Sequence, residues 1–299
     1  MALTVNTNIA SLTAQRALVG TNRSLQTSMA RLSTGLRINS AKDDAAGLAI
    51  SDKMTTQIRG MNQAVRNAND GISMAQTAEG AIQESTNLLQ RMRELAVQAA
   101  NGTYGDEERA SLNDEFNQLQ QEISRIATST EFNGKQVLMG DMDGTTLQVG
   151  ANAGDTITIN LGTSAMTASG LGVSLGGTST INITNSAGSV IGTSTVATGV
   201  GIATASAATG ALALIDTALN TIDTFRGKLG AIQSRLESTV NNLMNISENV
   251  SAAKSQIMDA DFAAETANLT RTQILQQAGV AMISQANMLP QTALALLQQ

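Results

Sequence analysis

The chain has 299 residues, enough for one or two hydrophobic cores, yet it contains no tryptophan, one tyrosine and four phenylalanines. It has neither histidine nor cysteine, which removes the usual general base, Ser-His triads, disulfides and thiolate-bound metals. We therefore expect no catalytic residues, no metal site and no cofactor. The net charge of −6 argues against nucleic acid as a partner, because affinity for phosphates depends on lysine and arginine.

The N-terminus lacks the basic region, apolar run and cleavage pattern of a conventional secretory signal. No apolar stretch reaches the roughly 20 residues that a bilayer requires. We expect a protein without a membrane partner, which is either soluble or secreted without a cleaved signal.

Apolar residues with four-three spacing predict two consecutive helices in the first half of the chain. The first seam consists of Met61, Val65, Ala68, Ile72, Ala75, Ile82 and Leu89, and the second of Leu112, Phe116, Leu119, Ile123 and Ile126. Residues 101–105 should join the two helices, with Asp106 as the N-cap of the second.

The middle of the chain differs in composition, since no lysine or arginine occurs in residues 136–225. Asn133-Gly134 is a strong hairpin signal. Apolar residues that alternate with polar ones predict short strands, and a flexible Gly/Ser/Thr linker is the alternative. The strand candidates are residues 156–161, then Leu171, Val173 and Leu175, and then Ile181 and Ile183.

A strict seven-residue repeat predicts one long helix over residues 210–258, about 70 Å in length at 1.5 Å per residue. The repeat consists of Ile215, Ile222, Leu229, Leu236, Leu243, Val250 and Ile257. A helix of this length needs a partner of matching length, and the Met61–Leu89 seam is the obvious candidate.

Both extremities are poor in charge and rich in apolar residues. Residues 1–30 carry only Arg16 and Arg23, and residues 262–299 only Glu265 and Arg271. One pair of helices cannot bury every apolar face, so we expect both ends to order on oligomerisation. The predicted polymerisation core comprises Val5, Ile9, Leu12, Leu25, Leu32, Phe262, Leu269, Ile283, Leu294 and Leu297, accompanied by Leu18 and Val19. Pro290 predicts a kink or restart, or simply a helix boundary.

These patterns predict a mainly α fold in which both chain ends form long antiparallel coiled-coil helices, with a small β-rich inserted outer domain. Enzymatic activity is improbable, and self-association through the ends is the expected function.

Several long runs resemble the signature segments of bacterial flagellins. They are ARLSTGLRINSAKDDAAGLAIS at 30–51, DGISMAQTAEGAIQE at 70–84, QRMRELAVQAANGT at 90–103 and FNGKQVL at 132–138, followed by SRLESTVNNL at 234–243 and SQANMLPQTALALL at 284–297. The resemblance covers about 140 residues at the front and 90 at the back. It implies a structural subunit that polymerises into the flagellar filament used for swimming.

The resemblance also implies a domain organisation. Residues 1–40 and 258–299 would form the inner coiled-coil filament core, and residues 41–140 and 206–257 a helical rod domain with a β-hairpin. Residues 141–205 would form a small, variable, surface-exposed β-rich domain, and Ser/Thr-rich outer domains of some flagellins are O-glycosylated.

Further partners follow from the resemblance alone. Flagellins leave the cell unfolded through the type III export apparatus and become extracellular. A chaperone binds their C-terminal segment, and they assemble beside cap and hook-filament junction proteins. Similarity to segments sensed by host innate immune receptors marks Arg91, Leu95 and Glu115 for the animal receptor. For the plant receptor it marks Arg31, Leu32, Asp43, Asp44, Gly47 and Leu48.

Three alternatives remain at this stage. A hook-filament junction protein shares the helical termini but occupies one ring, and the match over residues 30–51 argues against it. A coiled-coil signalling or adhesive protein of the cell surface would need an anchor or binding domain. An enzyme embedded in residues 147–202 is the weakest alternative, because no residue there suggests a mechanism.

Overall fold

The computed structural model describes residues 8–160, 166–173, 178–184, 190–197 and 200–297, and for residues 178–184, 190–197 and 289–297 it describes the backbone only. The elements in chain order are α1 (Ile9–Thr34), α2 (Ala45–Ala100), α3 (Asp106–Ser129), β1 (Glu131–Phe132), β2 (Lys135–Gln136), β3 (Thr145–Gln148), β4 (Thr156–Ile159), β5 (Thr178–Thr184), β6 (Val190–Ala197), α4 (Ala205–Met258) and α5 (Phe262–Leu297). The predicted mainly α fold class is confirmed.

Contacts divide the chain into two compact units. The terminal unit contains Met1–Arg59 and Ile246–Gln299, and the central unit contains Gly60–Asn245. Helices α2 and α4 each contribute residues to both units.

Helices α2, α3 and α4 build the core of the central unit. All members of the two predicted seams on α2 and α3 are buried or half-buried, as are those of the heptad repeat along α4. The predicted partnership of α2 and α4 is confirmed by contacts between them. Glu79 accepts a hydrogen bond from the side-chain amide of Gln233 at 3.0 Å, and Arg93 donates to Asp216 at 2.8 Å. The later residue of α2, Arg93, contacts the earlier residue of α4, Asp216, so the two helices are antiparallel.

The connection between α2 and α3 lies at residues 101–105, as predicted. The predicted N-cap of α3 is wrong. Helix α3 begins at Asp106, and its N-cap is Gly105, which contributes no side-chain hydrogen bond. Asp106, Glu107 and Glu108 occupy the first turn, where their negative charges complement the helix dipole.

The strands form three antiparallel two-stranded hairpins within the described residues. Strand β1 pairs with β2 around Asn133 and Gly134, whose φ angles of 52° and 77° are both positive, as in the tight turns that favour Asn-Gly. Strand β3 pairs with β4, and β5 with β6. The strand predicted at Leu171 and Val173 is wrong, because both residues lie in a turn region, and Leu175 lies outside the described residues.

The segment after the first hairpin packs onto the helices of the central unit. Ile159, Met166, Val173 and Ile202 are buried in the same cluster as the α2, α3 and α4 seams. The Gln120 side-chain amide donates to the Val200 carbonyl at 2.8 Å and thereby ties the returning chain to α3.

Candidate assembly surface

The terminal unit is built on the pairing of α1 with α5. Their facing sides are lined largely by small or polar residues, since Ser11 and Ser28 are the buried residues of α1, and Glu265 and Ala286 are buried on α5. Half-buried side chains complete the seam: Leu18, Leu25, Leu32, Leu269 and Ile283. Burial recurs every three or four residues on each helix, which is the period of a coiled coil.

Polar contacts fix the antiparallel register of the pair. The side-chain amide of Asn8 donates to the Ala286 carbonyl at 2.8 Å, while its oxygen caps α1 by accepting from the Ser11 amide at 3.1 Å. Near the middle, Gln276 donates to Asn22 at 2.9 Å. The start of α1 therefore lies beside the far part of α5.

The loops at the opposite end of the pair are joined by backbone hydrogen bonds. Helix α1 ends at Gly35, whose φ of 72° is the left-handed conformation that suits a C-cap glycine. The Gly35 carbonyl accepts from the Ala260 amide at 3.0 Å, and the Arg37 amide donates to Met258 at 2.6 Å. This short bridge fixes the start of α5 against the end of α1.

The outward faces of both helices carry large apolar side chains. Ile9 and Leu12 are 65% and 55% exposed, and Phe262 is 57% exposed. Further exposed members of these faces are Val19 and Met29 on α1, and Ile274, Leu275, Val280, Met282 and Met288 on α5. Apolar surface of this extent is unusual on a monomer and is typical of a surface that contacts another protein. We call these outward apolar residues of α1 and α5 the assembly surface.

The residues predicted as the polymerisation core fall into two groups where their side chains are described. Ile9, Leu12 and Phe262 lie on the assembly surface. Leu25, Leu32, Leu269 and Ile283 lie in the seam between α1 and α5. Val5 lies outside the described residues. Leu294 and Leu297 lie in the last part of α5, residues 289–297, for which only the backbone is described.

Several members of the assembly surface were not among the candidates. Met29, Ile274, Leu275, Val280, Met282 and Met288 are missed because they fall outside the heptad positions used to choose candidates. A search for a second apolar stripe on the same helices would have found most of them. Helix α5 also runs through Pro290 to Leu297, so no helix boundary lies at that proline.

The segment predicted as a plant-receptor epitope forms the turn between α1 and α2. The Asp43 carboxylate accepts from the Asn39 amide at 3.2 Å, the Ser40 amide at 3.0 Å and the Ser40 hydroxyl at 2.9 Å. The Ser40 hydroxyl is the main reason why the pKa of Asp43 lies below its ordinary value, and the Asn39 amide is the next.

The other candidates in this segment have structural contacts of their own. Asp44 accepts from the amide of buried Gly47 at 2.8 Å, which holds the first turn of α2. Arg31 pairs with Glu265, while Leu32 and Leu48 are half-buried.

The three animal-receptor candidates lie close together in the central unit but differ in exposure. Arg91 donates two hydrogen bonds to Glu115, at 2.9 and 2.8 Å, and both side chains are about half exposed. These hydrogen bonds with Glu115 are the first cause of the raised pKa of Arg91, followed by the bond to Glu94. Leu95 is only 1% exposed and belongs to the core.

Comparison with known proteins identifies the family. The model of the bacterial flagellin N-terminal helical region matches residues 5–143, and that of the C-terminal helical region matches residues 212–297. The chain belongs to the bacterial flagellin family. It is 44% identical over 294 residues to a flagellin of Halalkalibacterium halodurans, covering 98% of this chain and 99% of that protein.

Two further flagellins are similar to this chain to different extents. Flagellin A of Vibrio cholerae serotype O1 is 38% identical over 379 aligned residues, covering all of both chains. The crystal structure of Bacillus cereus flagellin has a TM-score of 0.44 and 29% identity, covering 63% of this chain and 94% of that one.

Membership of the flagellin family makes the chain a structural subunit of a filament and not an enzyme. Flagellins polymerise with themselves, and their filament lies outside the cell. Within the described ranges, no helix is both long and apolar enough to cross a membrane. The same ranges hold no cluster of three potential metal-binding side chains.

Proposed function

We propose that this flagellin polymerises by burying its assembly surface against other copies of itself. The observation that carries the proposal is the division of apolar residues on α1: Leu18, Leu25 and Leu32 face α5, whereas Ile9 and Leu12 face away from it. The α1–α5 pair leaves the second row unburied, and burying apolar area contributes roughly 25 cal/mol per Å². A second copy with the same surface supplies a matching partner.

The charge distribution of the terminal helices supports the same proposal. Glu265, the one acidic residue of α5, is buried beside Arg31 and is absent from the assembly surface. Three charged residues of α1 and α5 are exposed, Arg16, Arg23 and Arg271, and none of them is acidic. The outward faces therefore carry few charges, which lowers the desolvation cost of bringing copies together.

The experiment that tests the proposal is seeded elongation of the purified full chain. Filament fragments are mixed with the intact protein, or with a variant that lacks residues 1–31 and 261–299, and growth is followed by sedimentation and electron microscopy. Elongation by the intact chain alone supports the proposal. Equal elongation by the truncated chain contradicts it, and failure of both points instead to the hook-filament junction protein.

We infer the finer domain limits from the same arrangement. Residues 1–40 and 258–299 would form the filament core, residues 41–140 and 206–257 the rod, and residues 141–205 the outer domain. Limited proteolysis of the monomer tests these limits, since cleavage should concentrate near residues 40 and 258 if the core orders only in the polymer.

Export is proposed to follow the family route, with secretion through the type III apparatus, a chaperone on the C-terminal segment, and assembly beside cap and hook-filament junction proteins. The apolar residues exposed on α5, among them Ile274, Val280 and Met282, support a chaperone that shields this helix before assembly. Co-purification of the chaperone with the full chain, but not with a chain lacking residues 261–299, is the expected result.

Recognition by an animal innate immune receptor is proposed to involve the exposed Arg91–Glu115 pair, with Leu95 beneath it as packing support. Arg91→Ala should reduce signalling in receptor-expressing cells. Arg93→Ala is the matched control, because Arg93 is equally exposed on the same helix and also pairs with an acidic residue. Equal loss in both variants would contradict a specific role for Arg91.

A plant receptor is proposed to sense residues 30–51 as an extended peptide, through Arg31, Leu32, Asp43, Asp44, Gly47 and Leu48. A synthetic peptide of this segment carrying Asp43→Ala should lose activity, and one carrying Lys42→Ala should retain it. Loss in both peptides would show that charge in general, and not Asp43, is required.

A further inference from the structure

Two Asn-Gly pairs lie at exposed positions of the central unit, Asn101-Gly102 and Asn133-Gly134. Asn-Gly is the sequence most prone to deamidation, because glycine has no side chain to hinder its backbone nitrogen from attacking the preceding amide carbon. In an unfolded chain the two pairs should react at similar rates. The folded chain holds them in different ways.

Asn101 lies in the open connection between α2 and α3, and its side chain bends over the next residues. Its Oδ1 accepts a hydrogen bond from the Thr103 amide at 3.3 Å. This hydrogen bond withdraws electron density from Cγ of Asn101. It would also stabilise the negative charge that develops on Oδ1 during attack, as oxyanion donors do in enzymes.

Gly102, the residue that supplies the attacking nitrogen, is unhindered. Its backbone N–H has no hydrogen-bond partner among the described residues, and apart from its two chain neighbours none of their atoms lies within 4 Å of the position where a Cβ would stand. The same space is open at Gly134, so the two sites differ in how the backbone is held and not in crowding. Forming the ring therefore breaks no hydrogen bond of the Gly102 N–H. The rotation that it needs at Asn101 displaces the hydrogen bonds that the Asn101 carbonyl accepts from Arg109 and from the Tyr104 amide, neither of which belongs to a strand pairing.

Asn133 lies in the turn of a paired hairpin. Its φ of 52° belongs to a left-handed turn conformation, and strand pairing flanks it on both sides, Phe132 with Lys135 and Glu131 with Gln136. Ring closure requires the Asn133 backbone to rotate, and that rotation breaks the turn. The folded hairpin should therefore protect Asn133, because reaction waits for local opening.

We propose that Asn101 is a site of spontaneous deamidation in the folded protein and that Asn133 is protected. The Gly102 nitrogen, having lost its proton to hydroxide, bonds to Cγ of Asn101, and the Cγ–Nδ2 bond breaks with release of ammonia. Water then opens the succinimide. Attack at Cγ leaves an aspartate, and attack at the backbone carbonyl leaves an isoaspartate whose main chain runs through Cγ.

The isoaspartate product would alter the connection between α2 and α3. Arg109, whose side chain is 11% exposed, donates to the carbonyls of Ala99 at 3.0 Å and Asn101 at 3.1 Å, and so satisfies acceptors left open at the end of α2. An isoaspartate adds one main-chain carbon beside these acceptors, which displaces them from Arg109. The modification therefore acts on the link between two core helices.

The test incubates the full chain at mildly alkaline pH, either folded or in concentrated urea, and follows deamidation by mass spectrometry of tryptic peptides. Trypsin separates the two sites, because residues 94–109 hold Asn101 and residues 126–135 hold Asn133. In the folded chain Asn101 should react at least about tenfold faster than Asn133, whereas in urea the rates should agree within about twofold.

Gly102→Ala is the matched variant, because the open space at this position accommodates a methyl group and the residue is not among the glycines with positive φ. It should slow reaction at Asn101 by about tenfold or more by hindering the nucleophile, without unfolding the chain. Equal rates at the two sites in the folded chain would overturn the proposal. An isoaspartate signal unchanged by Gly102→Ala would overturn the assignment to Asn101.

Discussion

Arg31 of α1 and Glu265 of α5 form an ion pair across the terminal unit, with 3.6 Å between Nη1 and Oε2. The Glu265 side chain is only 10% exposed, whereas that of Arg31 is 31% exposed. The Nε atom of Arg31 is buried and has no hydrogen-bond partner among the residues that the structure describes. Removing Glu265 would therefore leave a partly buried guanidinium without its counter-charge, and such loss costs more than an intact pair contributes.

Glu265→Ala should weaken polymerisation. We expect a loss of about 1–3 kcal/mol for the charge left unpaired. Because both ends are expected to order on oligomerisation, this loss corresponds to a critical concentration about five- to 150-fold higher. Sedimentation of seeded samples over a concentration series measures the critical concentration. Glu248→Ala is the control, since Glu248 is exposed on α4 in the same unit. An unchanged critical concentration for Glu265→Ala would mean that the pair does not hold α1 to α5.

Leu12→Asp should also weaken polymerisation, but by a different route. Leu12 is exposed in the monomer, so the change should leave its folding intact, while burying a leucine in the polymer contributes about 1.5–3 kcal/mol that the variant loses. We expect a critical concentration at least about tenfold higher, with an unchanged circular dichroism spectrum of the monomer.

Two comparisons sharpen the Leu12 prediction. Ser24→Asp introduces the same charge at an exposed polar position of α1 and should have little effect. Leu25→Asp places the charge in the seam and should also lower the melting temperature of the filament core. If Ser24→Asp were as damaging as Leu12→Asp, charge and not the assembly surface would explain the loss.

Gly71→Ala should destabilise the central unit. Gly71 is buried on α2, and a Cβ there would overlap Cδ1 of Leu147 and stand 3.2 Å from Cδ1 of Leu236. Overpacking of this kind costs about 1–3 kcal/mol. Denaturant unfolding of the monomer measures the effect.

Gly80→Ala on the same helix provides the opposite case. Apart from its chain neighbours and the backbone of its own helix, none of the described residues has an atom within 4 Å of a Cβ at Gly80, so the alanine should stabilise the helix by about 0.5–1 kcal/mol. Changes of the same sign at Gly71 and Gly80 would show that helix propensity, and not close packing against Leu147, decides the result.

The pKa of Asp43 should lie below its ordinary value, and Ser40→Ala should raise it, because the Ser40 hydroxyl is the main hydrogen-bond donor to this carboxylate. A lowered pKa stabilises the fold above the unfolded value of about 3.9, and this contribution is lost as the pH falls through the folded pKa. NMR titration of the Asp43 carboxyl measures the shift. Ser33→Ala removes an exposed hydroxyl of α1 and should leave the pKa of Asp43 unchanged.

The helices of the central unit could be predicted because their burial follows a single period. Each predicted seam position from Met61 to Leu89, and from Ile215 to Leu243, is buried or half-buried. A helix with one apolar stripe has only one face to bury, so the pattern identifies the inward face without knowledge of its partner.

The errors of prediction arose where local patterns fit more than one structure. Leu171 and Val173 alternate as in a strand, but both side chains are buried in a turn that passes through Gly172 with a φ of 77°. Asp106 has the right chemistry for an N-cap, yet Gly105 takes that place. At Leu171 and Val173 tertiary packing decided between local conformations of similar energy.

The sequence by itself determined the helical period, the poverty of charge at both ends and the family of this protein. Only the tertiary structure showed which apolar row of α1 faces α5 and which Asn-Gly pair is held in a hairpin. It also showed that Arg91 contacts Glu115 at the surface, whereas Leu95 is buried. The physical reason is that hydrophobic burial is non-directional: a sequence shows that an apolar row must be covered, but only the packed chain shows by what.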